Sequence, residues 1–186
     1  MSDKKGRLFI ISSPSGGGKG TVISHLQKLR PELYYSVSAT TRAPRDGEVD
    51  GVSYYFVSKE RFLELAARNA FLEHAKYVDE YYGTPRSLID DCIYYGKDVL
   101  LEIEVQGAKQ VMSSGLDAVS IFIVPPSMEV LEQRLRGRAT ESEDKLEARL
   151  IRARSELEEK EHYDHIVVND DALRAAEEIL SIIDKS

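Results

Sequence analysis

An apolar run, Arg7 to Ser12 (RLFIIS), leads without a linker into Ser13-Pro-Ser-Gly-Gly-Gly-Lys-Gly-Thr21, after which Val22, Ile23, Leu26 and Leu29 follow helical spacing up to Pro31. A near-continuous apolar run of this length suits a strand buried on both faces of a parallel sheet. The proline ends the helix that follows. The glycines allow several backbone N–H groups to converge, and the helix adds its positive N-terminal end. That combination binds a polyphosphate, with Lys19 placing a mobile charge between the outer phosphates. Against the pattern G-x-x-x-x-G-K-[ST], Ser13 replaces the first glycine and Gly20 takes the place of the hydroxyl that normally contacts magnesium. Thr21 follows one residue later.

The remaining segments alternate between short β-rich runs and amphipathic helices, which predicts an α/β fold. Asp98 to Val105 reads as a strand with a helix from about Gly107. Ala118 to Val124 reads as a strand ended by Pro125 and Pro126, and His165 to Val168 as a short last strand. A terminal helix places Leu173, Ala176, Ile179, Leu180 and Ile183 on one face. Two stretches differ in texture and read as inserts. Residues 36–90 hold short Thr- and Tyr-rich strands, a basic loop and a helix from about Ser58 to Asn69. Residues 127–160 are charged and helical, with Leu146, Leu150, Ala153 and Leu157 as a narrow apolar stripe.

With 186 residues, a folded single core carrying inserts is expected. The formal charge is −7, and residues 1–35 hold six basic against two acidic side chains, so the rest of the chain is strongly acidic. Such a surface repels a nucleic-acid backbone, and any anion site must be made locally. A membrane span, a signal peptide and nucleic-acid binding are not expected. Cys92 is the only cysteine, in keeping with a cytoplasmic location. His162 and His165 supply too few ligands for a metal site and read as structural, and Tyr34-Tyr35 and Tyr94-Tyr95 as packing at element ends with their hydroxyls near water.

A second anion site is suggested by residues 36–57, where Arg42 and Arg45 flank a proline amid hydroxyls and Tyr54. Guanidinium forks suit phosphate oxygens; a solvated hairpin is the plainer reading of the same residues. The segment closely resembles the nucleoside-monophosphate region of guanylate kinases. So do Glu73, Tyr81-Tyr-Gly-Thr84, Leu101-Glu-Ile-Glu-Val-Gln-Gly107, Pro125 to Ser127, Arg134-Leu-Arg-Gly-Arg138 and Val168-Asn-Asp170, in family order and over almost the whole chain. The resemblance implies a P-loop NTPase core with a parallel sheet flanked by helices, in residues 1–35, 91–126 and 161–186. It further implies a GMP-binding α/β insert in residues 36–90 and a helical lid in 127–160.

The implied activity is ATP + GMP → ADP + GDP, with dGMP as a second acceptor and Mg2+ entering with ATP. Carried over by position, Ser13, Pro14, Ser15, Gly16, Gly17, Gly18, Lys19, Gly20, Thr21, Arg134 and Arg138 bind ATP. Arg42, Arg45, Tyr54 and Tyr82 hold the GMP phosphate, while Ser38, Glu73 and Thr84 read the guanine. Guanine presents N1–H and N2–H₂ donors beside an O6 acceptor, so a carboxylate with a hydroxyl complements it, whereas adenine presents the reverse pattern. Alone, Glu73 in FLEHA reads as an exposed carboxylate at a helix end.

Glu102 and Glu104 lie two apart in a predicted strand and so on one face. By resemblance Glu102 approaches the guanosine, and the magnesium shell could draw on Thr21 or Glu104. Arg134 with Arg138, and Arg149 with Arg152, share helix faces. They read either as solvated salt-bridge ladders or, by resemblance, as lid arginines folding over the transferred phosphoryl group. Lys19, Arg42, Arg138 and Arg149 form the expected charge cage, and Ala139 stands where glycine is common in the family. Two further readings remain at this level: a non-catalytic guanylate-kinase-like phosphopeptide-binding module, and a nucleoside monophosphate kinase of other base specificity. A homo-oligomer is compatible with the sequence.

Overall fold

The computed structural model describes residues 5–77, 79–137 and 143–186. In chain order the elements begin with β1 (Leu8–Ser12), α1 (Lys19–Leu29), β2 (Tyr34–Tyr35), β3 (Ala39–Thr40), β4 (Tyr55–Phe56) and α2 (Lys59–Ala67). They continue with β5 (Phe71–Tyr77), β6 (Glu80–Pro85), α3 (Arg86–Tyr94), β7 (Val99–Glu102), α4 (Val105–Ser113) and β8 (Ala118–Val124). Helices α5 (Met128–Arg136) and α6 (Glu143–Glu158), a 3-10 turn (Glu159–His162), β9 (His165–Val168) and α7 (Ala172–Lys185) complete the chain. The result is the mixed α/β architecture with parallel strands and flanking helices that the element alternation predicts. Among the described residues no helix is long and apolar enough to cross a membrane.

The chain divides into two compact units. The first comprises the segment up to Leu8, Tyr34–Glu102 and Gln106–Ala118. Here β2 runs parallel to β7 with Tyr34 opposite Val99, and a second sheet has the order β4-β3-β6-β5, with β6 antiparallel to both its neighbours. Ala39, Phe62 and Phe71 form its buried centre, with the Phe62 and Phe71 rings stacked at 4.4 Å between centroids. Helix α2 starts where Ser58 accepts the N–H of Arg61, an N-cap that satisfies one orphan donor of the first turn. Arg7 and Asp98 join in a forked pair, with the Arg7 backbone N–H also donating to the same carboxylate at 3.0 Å.

The second unit comprises Phe9–Leu33, Ile103–Val105 and Val119–Ser186. In it β8 neighbours β1 and lies parallel to β9, with Ile121 opposite His165 and Val124 opposite Val168. Phe9, Ile10 and Ile11 are wholly buried, as expected of a strand covered on both faces. Val22, Ile23 and Leu26 of α1 are buried, as are Ala175, Ala176, Ile179 and Ile183 of α7, and the two helices pack together. Leu131, Leu135, Leu146, Leu150 and Ala153 close a small core between α5 and α6.

Four expectations change. Leu173 is 44% exposed. At roughly 100° per residue, the arc through Ala175, Ala176, Ile179 and Ile183 leaves Leu173 about 100° from its centre, and the two alanines supply the contact instead. Strand β7 ends at Glu102 and α4 already starts at Val105. The alternation of Leu101, Ile103 and Val105 is met by a strand end followed by a helix whose first residue is buried, so Glu104 is not on the strand with Glu102. Glu73 lies within strand β5 rather than at a helix end. The Tyr35 hydroxyl is buried with no hydrogen-bond partner among the described residues, and that burial raises its pKa.

Ile179→Ala should therefore destabilise the protein by about 2–5 kcal/mol in chemical denaturation, as large-to-small core changes do. Leu173→Ala should cost less than about 1 kcal/mol, since little surface is lost from burial there. Equal costs for the two would contradict the packing described.

Candidate active site: a glycine-rich turn and a buried carboxylate–hydroxyl pair

In the second unit the turn between β1 and α1 has a defined, side-chain-supported shape. Gly16 and Gly18 have φ of +83° and +85°, in the left-handed region where a Cβ is strained. The N–H of Gly17 closes the turn by donating to the carbonyl of Pro14 at 2.9 Å. The carbonyl of Gly17 accepts from Asn169 Nδ2 at 2.8 Å and from the Arg134 guanidinium at 3.3 Å. Because a trans peptide directs its C=O and N–H to opposite sides, this anchors the N–H of Gly18 away from Asn169. A Cβ on Gly18 would fall 2.4 Å from Asn169 Nδ2. Arg134 also donates to the Asn169 carbonyl at 2.9 Å.

Helix α1 then opens at Lys19 on a glycine, which has no side chain to cap it, and with no acidic residue in its first turn. Its positive end is left for an anion. Ser13 is buried and its hydroxyl donates to the Pro14 carbonyl at 3.2 Å. Gly20 is exposed, with open space where a Cβ would be, and Thr21 is exposed beside it. From α6, the Arg149 guanidinium donates to Ser15 Oγ at 3.2 and 3.3 Å. Arg152 on the same helix reaches Glu104 at 3.4 Å. Arg138 and Ala139 lie outside the described residues.

The first unit holds the other cluster. The Arg42 fork grips Glu48, NH2 to Oε1 at 2.8 Å and NH1 to Oε2 at 2.9 Å, and the Arg45 backbone N–H donates to Glu48 Oε2 at 2.7 Å. These contacts, the Arg42 bond foremost, hold the Glu48 carboxyl down at about 2. The Arg42 guanidinium also lies 5.4 Å from the Tyr54 ring centroid, and Tyr54 meets Tyr82 edge-on at 6.2 Å. Burial, and then the charge of Glu102, raise the pKa of the Tyr54 phenol and keep it a hydrogen-bond donor. Ser38 is half-buried next to β3, where its carbonyl accepts the N–H of Tyr55.

Glu73 is 7% exposed and Thr84 fully buried, and the Thr84 hydroxyl donates to Glu73 Oε1 at 2.5 Å. Local backbone geometry produces this pair. The ladder between β5 and β6 shifts register between Phe71 and Glu73, so three consecutive residues, Phe71, Leu72 and Glu73, are all buried. A bulge of this kind re-aims a side chain. Without it, strict alternation would expose one of the three. Gly107 makes room: a Cβ there would fall 2.3 Å from Glu73 Oε2. Gln110 on α4 ties the backbone of His74 from both sides, accepting its N–H at 3.2 Å and donating to its carbonyl at 2.9 Å.

Glu48, Gly107, Gln110 and Asn169 were not read from the sequence as parts of a site. Glu48 follows Arg45 by three residues, a spacing suited to accepting its N–H, but nothing local points Gly107 at Glu73 or Asn169 at Gly17. Those pairings join residues distant in sequence. Among the described residues no three His, Cys, Asp or Glu side chains gather as a metal site.

The chain is similar to known proteins over nearly its whole length. A family model described as guanylate kinase matches residues 5–186. A guanylate kinase of Trichormus variabilis is 52% identical over 92% of this chain and 88% of its own length. One of Clostridioides difficile is 48% identical over 98% of this chain and 89% of its own. The crystal structure of a guanylate kinase from Anaplasma phagocytophilum superposes with a TM-score of 0.81 at 38% identity, covering 98% of this chain and 87% of that one. With the family model spanning residues 5–186 and relatives about half identical over nearly the whole chain, the chain belongs to the guanylate kinase family.

Proposed function

We propose that the two clusters bind the two nucleotides of the guanylate kinase reaction, ATP + GMP → ADP + GDP. The phosphate loop, Ser13 to Thr21 with Arg134, takes the ATP phosphates. Arg42, Arg45, Tyr54 and Tyr82 take the phosphate of GMP, and Ser38, Glu73 and Thr84 take its guanine, with Glu102 toward the guanosine. The observation that carries this reading is the buried Glu73–Thr84 pair. A buried carboxylate oriented by a hydroxyl offers acceptors to the N1–H and N2–H₂ of guanine. The N6 amino group and N1 acceptor of adenine would leave it poorly matched, and unpaired buried polar groups are what make such discrimination strong.

An oxygen of the GMP phosphate attacks the γ-phosphorus of ATP as the bond to the β–γ bridging oxygen breaks, and that oxygen leaves on ADP with the electron pair. The attacking oxygen is already anionic at neutral pH, so no general base is needed, and the protein contributes position and charge. Lys19 follows the phosphates through the transfer, Arg42 aligns the acceptor, and Arg138 and Arg149 complete the charge cage. Magnesium, bound with ATP, would supply charge neutralisation at the phosphates. An ion of this class binds chiefly through phosphate oxygens and water, so the lack of a hydroxyl at Gly20 would not bar it, and the exposed Thr21 hydroxyl or Glu104 would be the side chains to hold its waters.

A coupled ADP-formation assay with GMP, AMP, UMP and dTMP tests the reading. GMP should be preferred over AMP by at least ~100-fold in kcat/KM, the scale set by unpaired buried hydrogen-bonding groups, and a preference for AMP would overturn it. Lys19→Ala should lower kcat by at least ~100-fold, as loss of an electrostatic stabiliser does; near-normal turnover would remove Lys19 from the mechanism. Gly107→Ala should raise KM for GMP by roughly tenfold or more by displacing Glu73, at about 1.4 kcal/mol per tenfold, with KM for ATP unchanged. The Glu48 carboxyl should titrate at about 2 in the free protein. Its folded pKa lies below the unfolded value, so its stabilising contribution is full above about 4.5 and is lost as pH falls toward 2. Adding GMP should raise that midpoint by bringing a second anion to Arg42, as carboxyl NMR shifts would report. A free-protein midpoint near 4.5 would show that the pair does not form.

A further inference from the structure

Glu156 is a buried carboxylate to which the mechanism above gives no part. It sits on α6 and is 8% exposed; a carboxylate is withdrawn from water only where its oxygens are satisfied. Oε2 accepts the backbone N–H of Ser15 at 2.9 Å, and Oε1 accepts Arg152 Nε at 2.6 Å. Arg152 continues to Glu104. Arg149 precedes Glu156 by about two helical turns and so shares its face, and it donates to the hydroxyl of the same Ser15. One residue of the phosphate loop is thus held twice from one helix, its amide by Glu156 and its hydroxyl by Arg149.

The chemistry of this arrangement is uneven. The Arg149 bonds to Ser15 are long, at 3.2 and 3.3 Å, and go to a neutral hydroxyl on a loop. The Glu156 bonds are shorter, at 2.9 and 2.6 Å, charge-assisted and partly buried. A slide or rotation of α6 by one residue would strand the carboxylate in the interior, whereas Arg149 could follow by changing rotamer. The anchor of the helix on the loop is therefore Glu156, and Arg149 is the group whose placement depends on it.

We propose that Glu156 is a positioning residue for phosphoryl transfer, fixing the leading turn of the phosphate loop through the Ser15 amide and, with it, the register that holds Arg149 over the loop. This rests on the assignment of the loop and Arg149 to ATP given above.

The test is steady-state kinetics on Glu156→Ala and Glu156→Gln, varying ATP and GMP separately, with thermal unfolding of each variant. Glu156→Ala should lower kcat/KM for ATP by about 10–100-fold, the cost of misplacing catalytic groups by an ångström or so, and leave KM for GMP within about twofold. Glu156→Gln keeps a carbonyl acceptor for the Ser15 amide and should recover part of the loss. If Glu156→Ala does not fold, Glu156→Gln decides through the same ATP-against-GMP split. An unchanged kcat/KM for ATP, or a parallel fall in the ATP and GMP parameters that tracks lost folded protein with Gln no better than Ala, would overturn the proposal. Wild-type protein without GMP-dependent ADP formation would instead overturn the underlying reading, and active wild type with a neutral Glu156→Ala sinks the positioning role alone.

Discussion

The hydrogen bond from the Asn169 side chain to the carbonyl of Gly17, buried and 2.8 Å long, is the contact on which the phosphate loop depends. A turn with three glycines has many conformations open to it, and glycine loses more freedom on folding than any other residue. Held from β9's end by Asn169 and from α5 by Arg134, the Gly17–Gly18 peptide is restricted to one orientation, with its N–H directed away from those groups. Ser15 is held in the same way from α6. The loop is therefore preorganised by residues that follow it by more than a hundred positions, and an anion entering it need not meet the cost of ordering it.

The other unit applies the same logic to a side chain. A register shift in β5 turns Glu73 inward, Thr84 orients it, and the missing side chain of Gly107 leaves space for it. Each device is unfavourable alone: a bulge forgoes ladder pairing, and a buried carboxylate forgoes water. Together they yield a held, buried acceptor, which the proposed function assigns to the adjacent N–H donors of guanine. The Arg42–Glu48 pair likewise holds the guanidinium fork against the rings of Tyr54 and Phe56, in the place the proposed function gives to the GMP phosphate.

Much of this was legible in the amino-acid order because it is local. The β1–turn–α1 span shows itself by period, glycine and proline, and Arg42, Arg45 and Tyr54 by their shared segment, whereas Tyr82 is suggested by the family resemblance alone. Five residues escaped for physical reasons. Glu73 looked like an exposed helix carboxylate because a bulge breaks the alternation that would have marked a strand. Glu104 looked like a strand residue because Leu101, Ile103 and Val105 satisfy a period of two across a change of element. Leu173 looked buried because two alanines, weak signals by size, define the true face of α7. Glu156 and Asn169 act through contacts with the loop that no spacing rule anticipates, since the sequence separations are 141 and 152 residues.

The net charge of −7 is compatible with two phosphate-bearing ligands because the positive groups are few and placed, not spread. What counts is a loop whose amides are already oriented, and that can be measured. Titration of wild type and Asn169→Ala with a non-hydrolysable ATP analogue in a calorimeter tests it most directly. Loss of the anchoring bond should weaken binding by roughly tenfold, the scale of about 1–1.5 kcal/mol for one buried hydrogen bond, with a more unfavourable binding entropy as the loop orders on the ligand. Equal affinity and equal entropy in the two proteins would contradict the claim that the loop is held ready by Asn169.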